Sequence, residues 1–277
     1  MSRYKKWKKL IIIAGTLAVV LALACDMRLK TVFYTVEAEK ISQPVRIALL
    51  TDLHSDWYGK NQSTLISAVD DQKPDIVLLG GDIFDDKGTY EYAEITLKQL
   101  AEKYPCYYVT GNHEYWSRDI DNILGIVESC GIPALSGDCH TVEINGQMIN
   151  ICGVDDPDVI KYTENGKPIT EQLKLAEETA DSELFTILLS HRPELKEMYE
   201  EYNFDLVLSG HAHGGQWRIP FLLNGLYAPN QGLFPEYAGG RYDYENGTLL
   251  VSRGLAREST PIPRIFNRPE LVIVDIR

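Results

Sequence analysis

The chain has 277 residues, 44% hydrophobic and 24% charged, with a formal net charge of −13. Its length fits one α/β domain behind a short leader, and no repeat or low-complexity segment interrupts it. So acidic a chain repels polyanions and lacks the basic footprint that duplex nucleic-acid binding needs, which weighs against a nuclease.

At the N-terminus, Arg3, Lys5, Lys6, Lys8 and Lys9 precede fifteen uncharged residues, 10–24. A basic flank before an apolar segment reads as a secretory signal or signal anchor, with everything beyond Cys25 exported. Fifteen residues are short for a full span of about 20 but long enough for a signal core. The alternative is a buried amphipathic helix. Ala22-Leu23-Ala24 offers a small-x-small cleavage site, and Cys25 is a candidate for lipid attachment, although the residues before it match a lipoprotein signal poorly. The chain thus divides into a signal or membrane-anchor segment, 1–29, and a single catalytic domain, 30–277. Five positive and no negative charges lie in residues 1–24, so without them the charge goes from −13 to −18.

After a connector and lead-in strand over 30–45, apolar runs over 45–50, 76–79, 106–109, 185–189 and 206–208 read as buried strands. Residues 63–72, 91–103, 120–130 and 169–180 carry apolar side chains at helical spacing. Asn145-Gly146 and Asn246-Gly247 are hairpin signals between strand-like runs. Helices alternating with strands, followed by hairpins, predict an α/β fold of mixed sheets with helices outside.

Each apolar run is followed at once by a polar island: Asp52-Leu53-His54, Gly80-Gly81-Asp82, Gly111-Asn112-His113-Glu114, Ser190-His191 and Gly210-His211-Ala212-His213. Strand ends therefore deliver imidazoles and carboxylates to one edge. Such ligands suit zinc, manganese or iron, whereas magnesium or calcium prefers oxygen ligands alone. Seven candidate ligands exceed one tetrahedral site and fit two ions sharing a carboxylate, with Asp82 as the natural bridge. A metal lowers the pKa of bound water from about 15.7 to about 7, which supplies a hydroxide for hydrolysis at neutral pH.

The ordered set D-x-H, G-D, G-N-H-E, H and G-H-x-H, from Asp52 to His213, resembles the calcineurin-like metallophosphoesterase superfamily. The resemblance implies a four-layer sandwich of two mixed β-sheets flanked by α-helices. It also implies that Asp52, His54 and His213 hold one metal, that Asn112, His191 and His211 hold the other, and that Asp82 bridges them. Asn112 and His113 would touch the substrate phosphate, and His113, not itself a ligand, could donate a proton to the leaving oxygen. Taken singly, these residues have ordinary structural readings: Asp52 or Asp82 as a helix cap, Asn112 as a turn residue, His54 or His191 as a satisfied histidine. The combination reverses those readings.

Other residues stay open. Glu114 and Asp155-Asp156 suit partners of ligating histidines or solvated turn carboxylates, and His140 lies outside every motif. Cys130 and Cys139 could pair, while Cys106 and Cys152 lie in apolar runs and read as buried free thiols. Residues 216–237 form an apolar loop with three prolines that either roofs the site and receives a lipid or aromatic group, or covers a sheet edge. One of Arg253, Arg257 and Arg264 could reach a second phosphate.

The reading is a binuclear metal-dependent phosphoesterase acting on a phosphodiester or phosphomonoester, with a lipid-linked phosphate at the cell envelope as the favoured substrate. The leader, the run from Gly210 to Gln216 and the ending Arg268-Pro269-Glu270-Leu271 look like bacterial single-anchor phosphoesterases. Some relatives cleave the pyrophosphate of UDP-diacylglucosamine on the cytoplasmic side, which fits an exported domain poorly. The rivals are a metallo-nuclease, for which a basic groove is the missing feature, and a catalytically idle metal protein, for which a broken ligand set would be the sign.

Overall fold

A computed structural model describes residues 3–257 and 263–277; the side chains of Arg3, Lys5 and Lys6, counted in the basic flank, lie outside that description. The first half runs α1 (Arg3–Ala24), β1 (Lys30–Val36), β2 (Val45–Leu50), α2 (Ser63–Asp70), β3 (Ile76–Gly80), α3 (Glu91–Ala101), β4 (Cys106–Val109), α4 (Asn112–Trp116) and α5 (Ile120–Ser129). The second half runs β5 (Asp138–Ile144), β6 (Gln147–Gly153), α6 (Val159–Tyr162), α7 (Ile169–Thr179), β7 (Phe185–Leu189), α8 (Lys196–Tyr199), β8 (Leu206–Ser209), β9 (Tyr227–Ala228), β10 (Gly232–Leu233), β11 (Gly240–Tyr244), β12 (Gly247–Val251) and β13 (Glu270–Ile276).

One sheet has the order β1-β13-β2-β3-β4 and the other β11-β12-β8-β7-β6-β5. In the first, β2, β3 and β4 are parallel, and β13 lies antiparallel to β2. In the second, β12, β8, β7 and β6 are parallel, with antiparallel hairpin strands at both edges. Strands buried on both faces explain the unbroken apolar runs. Ile47 and Leu49 of β2 point inward with Ile187 and Leu189 of β7, while Ala48 and Leu50 point outward into a core with Leu97 of α3 and Ile123 of α5. Leu188 and Val207 cover the far side of the second sheet and meet Leu173 of α7 and Tyr199 of α8. The result is helices, sheet, sheet, helices, with each buried leucine or isoleucine contributing roughly 1.5–3 kcal/mol.

Two expectations need correction, and one alternative falls away. The segments 63–72 and 91–103 leave the helix at Asp70 and Ala101, because Gln72 N–H turns back to Val69 O and Lys103 N–H to Leu100 O, tighter turns than a helix makes. Cys139 pairs with Cys152, not Cys130, so Cys152 is not a free thiol; Cys106 is the buried free thiol. The alternative reading of the leader as a buried helix is excluded: Ile11, Ile12 and Ile13 are exposed, and among its described side chains only that of Ala24 is buried. Within α1, the 18 residues Trp7–Ala24 are long and apolar enough to cross a membrane.

Candidate metal centre

The islands after β2, β3, β4, β7 and β8 meet where the two sheets share the carboxyl ends of their parallel strands, the usual place for a site in an open α/β sheet. Asp52, His54, Asp82 and His213 have ligand atoms within 4.8 Å of one another, and Asp82, His191 and His211 form a second such group. Asp82 belongs to both.

The backbone that presents them is unusual. Asp52, His54, Asp82, His211 and His213 all have left-handed φ, between 47° and 65°. For a residue with a Cβ this conformation costs of order 1–3 kcal/mol and persists only where the surroundings over-determine it. They do: Asp52 N–H bonds Gly81 O at 3.0 Å, His54 N–H bonds Asp82 O at 3.0 Å, and Ala256 N–H bonds Asp52 O at 2.6 Å.

Each aspartate is held by one oxygen and leaves the other for use. Asp52 Oδ1 accepts from His211 N–H at 2.9 Å, and Asp82 Oδ1 accepts from His113 N–H at 2.8 Å. Asp52 Oδ2, Asp82 Oδ2, Asn112 Oδ1, His54 Nε2 and His191 Nε2 are buried without a hydrogen bond in good geometry. Buried polar atoms are rarely left so. Their donor chemistry, carboxylate, amide oxygen and imidazole, is that of a borderline divalent cation, so the residues fit a metal pair. His191 Nδ1 donates to Gly80 O at 2.8 Å, which turns Nε2 toward the shared carboxylate, 3.1 Å from Asp82 Oδ2.

Electrostatics agree. Burial disfavours a charged His191, yet the carboxylates of Asp82 and Asp52 outweigh it and push its pKa up to about 10. Burial, aided by Arg192 and His191, holds His211 well below the usual imidazole value, and burial with His54 and Arg264 does the same to His213. Neutral His211 and His213 keep an imidazole lone pair for a ligand, and the two buried carboxylates, Asp52 and Asp82, favour a cation between them.

Glu114 proves to be neither a histidine partner nor a solvated group. Its carboxylate accepts from the backbone N–H groups of Asp82, Ile83, Phe84 and Gly111 at 2.8–3.1 Å and from Tyr108 Oη at 2.8 Å. Burial and the Asp82 carboxylate push it up to about 7, against the donors of Phe84 and Tyr108. It is the clamp that shapes the loop bearing Asp82.

His113 stands apart from the fully buried histidines, with 17% of its side chain exposed and its ring edge-on to His54 at 4.3 Å. Its Nδ1 meets Asp86 Oδ1 at 2.8 Å. Asp86 was not singled out in the sequence, though two acidic residues shortly after Asp82 were a signal. Arg192 was also missed: it follows His191, grips Asp156 with both Nε and Nη2, and reaches Asn230 Oδ1 at 2.6 Å. Asn230 Oδ1 in turn lies 2.9 Å from His211 Nε2. Asp156 is thus a buried partner of Arg192, and Asp155 accepts from Thr110 Oγ1 and Ser136 Oγ, so neither is a solvated turn group. His140 pairs with Asp138 at 3.4 Å, away from the site. Of the three arginines, Arg253 is committed to Glu270, Arg257 stacks on Tyr58, and Arg264 is buried beside His213.

A fold with two such clusters defines a metal-dependent hydrolase. Residues 45–215 match the calcineurin-like phosphoesterase family, and the chain belongs to it; it is a metallophosphoesterase. An uncharacterized metallophosphoesterase of Aquifex aeolicus is 30% identical over 253 residues, covering 88% of this chain and 90% of that protein. Another, from Helicobacter pylori, is 33% identical over 229 residues, covering 81% of this chain but only 58% of its own length. Among solved structures, TT1561 of Thermus thermophilus superposes with a TM-score of 0.51 at 14% identity, over 78% of this chain and 92% of that one, a likeness of fold alone.

Proposed function

We propose that Asp52, His54 and His213 hold one divalent ion, that Asn112, His191 and His211 hold a second, and that Asp82 bridges them. The observation carrying this reading is that Asp82 belongs to both buried groups of ligand atoms, Asp52, His54 and His213 on one side and His191 and His211 on the other. Two such ions, whether manganese, zinc or iron, would supply a hydroxide nucleophile and charge stabilisation for attack on a phosphate ester. The chain's own residues position the ester. Asn112 and His113, at the start of α4, face the phosphate. Asp86 holds the His113 ring in one orientation, so that its other nitrogen can donate a proton to the leaving oxygen.

The substrate is a phosphodiester or phosphomonoester at the cell envelope, with a lipid-linked phosphate favoured by the apolar loop that begins just after His213. Helix α1 is read as a membrane anchor, with the catalytic domain outside the cytoplasm. The Cys139–Cys152 disulfide supports that placement, since such bonds persist in oxidising compartments. The acidic net charge weighs against nucleic acid as the substrate.

The test uses the full chain in detergent with manganese, zinc or iron, assayed on an aryl phosphodiester and an aryl phosphomonoester. Asp82→Ala is expected to lose bound metal and turnover together, while His113→Ala keeps the metal and is slower by about 10²–10⁴-fold, the usual worth of a general acid. Full turnover by Asp82→Ala would sink the assignment.

A further inference from the structure

The sheet directions put the membrane helix and the metal centre on the same side of the molecule. Strands β2, β3 and β4 run toward the edge that carries the ligands. Strand β13 is antiparallel to β2, so it starts at that edge, and β1, parallel to β13, starts there too. Helix α1 leads into β1. Its last residue, Ala24, accepts a hydrogen bond from Phe266 N–H at 2.7 Å. The neighbouring Ile265 bridges to Trp217, and Arg218 N–H bonds Ile265 O at 2.9 Å. At about 4.8 Å per strand spacing, Trp217 lies on the order of 10 Å from the end of α1.

From Trp217 the chain makes a tight projecting turn, in which Ile219 O accepts from Leu222 and Leu223 N–H at 2.9 and 2.8 Å. The turn shows water what a soluble surface would hide. Phe221 and Leu222 are 107% and 85% exposed, and Ile219, Leu233 and Phe234 are also exposed. Trp217 and Tyr227, half-exposed, flank them; aromatic residues with one polar atom favour the headgroup level of a bilayer. The same loop sends Asn230 back to His211, so its apolar tip is continuous with the rim of the metal centre.

We propose that this loop, tipped by Ile219, Phe221, Leu222, Leu233 and Phe234, dips into the bilayer that α1 spans, and that the metal centre therefore opens toward the membrane surface. A substrate phosphate is then met at headgroup level, its apolar part still in the bilayer. The contact is apolar, not electrostatic: the basic cluster of residues 3–9 lies at the other end of α1, and residues 216–237 carry one basic residue, Arg218, against one acidic, Glu236, so binding of the loop is insensitive to salt and to anionic lipid. The inference rests on α1 being a membrane span, and that premise is separable in the test.

The full chain, with Cys25 and Cys130 replaced by serine, is reconstituted in phosphatidylcholine vesicles and labelled in turn at Gly15→Cys, Phe221→Cys or Met148→Cys. Gly15 is mid-helix, and Met148 lies at the end of β6 away from the site. Phe221 is fully exposed, so its replacement removes no packing. A fluorophore at 221 is expected to be quenched at least threefold more by nitroxide lipid labelled near the headgroup than the one at 148, and to be shielded from iodide. The label at 15 is quenched by the mid-chain nitroxide. Quenching at 15 with iodide access at 221 equal to that at 148 would overturn the proposal and leave the anchor standing. A label at 221 shielded from iodide and lipid alike would mean a protein cover, which also overturns it. No lipid quenching at 15 would remove the anchor and the proposal together. Phe221→Ser with Leu222→Ser in the chain labelled at Leu233→Cys serves as the second variant: lipid quenching at 233 is expected to fall, and no change would count against insertion by the tip.

Discussion

At the residue scale, the site depends on atoms that are absent as much as on those present. A Cβ on Gly111 would sit 2.2 Å from Asp82 Oδ1 and 2.5 Å from Asp82 N, and one on Gly210 would sit 2.5 Å from Asp52 Oδ2. Asp82 is held by Glu114 at its N–H and by His113 N–H at its carboxylate, and Asp52 by His211 N–H, so neither gives way freely. Gly111→Ala is therefore expected to push Asp82 off the shared position and to lower metal content below one ion per chain by elemental analysis, with secondary structure by circular dichroism unchanged. Two ions per chain in that variant would show that Asp82 tolerates displacement. The Asp86–His113 contact leads to a second expectation: if Asp86 acts through His113, the double variant Asp86→Ala/His113→Ala turns over no more slowly than His113→Ala alone. Additive losses would give Asp86 a separate role. The ligand types were legible in the sequence because each follows an apolar run directly. Glu114, Asp86, Arg192 and Asn230 were not, since what defines them is a partner from elsewhere in the chain: backbone amides of Asp82 to Phe84 for Glu114, Asn230 for Arg192.

At the element scale, strands read better than helix ends, because burial on both faces forces an apolar run whereas a helix can finish in a turn with no change of composition. The disulfide was within reach and was missed. Asn145-Gly146 is a two-residue hairpin turn joining Ile144 and Gln147, and counting five residues out along each strand places Cys139 opposite Cys152. Sequence distance alone had suggested Cys130 instead. A bond closing a separation of 13 residues is worth about 3 kcal/mol in the chain-entropy account. Reduction, or Cys139→Ser, is accordingly expected to lower the midpoint of denaturant unfolding without changing metal content, and thiol titration of the unfolded, unreduced chain to find three free thiols of five. Five titratable thiols would remove the disulfide's support for an exported domain.

At the scale of the whole molecule, the sequence held the apolar helix and the buried histidines and carboxylates but not their relation, which depends on strand β13 inserting between β1 and β2. That long-range pairing has no local signature. Its consequence is that α1 joins the fold at the edge where those residues meet, so the proposed anchoring would also orient the site. The two roles of the membrane can be told apart by substrate. A soluble aryl phosphodiester reaches the metal centre through water, so Phe221→Ser with Leu222→Ser is expected to leave its turnover unchanged, these side chains touching none of the ligands. A phosphodiester carried on a lipid in the same vesicles must be met at the surface, and on the proposed insertion the loss of two apolar side chains, at roughly 1.5–3 kcal/mol each when fully buried, would weaken that encounter. The expected result is at least a tenfold fall in kcat/KM for the vesicle substrate only. Equal falls for both substrates would mean that the loop shapes the site itself; no fall for either would mean that α1 alone holds the enzyme to its substrate.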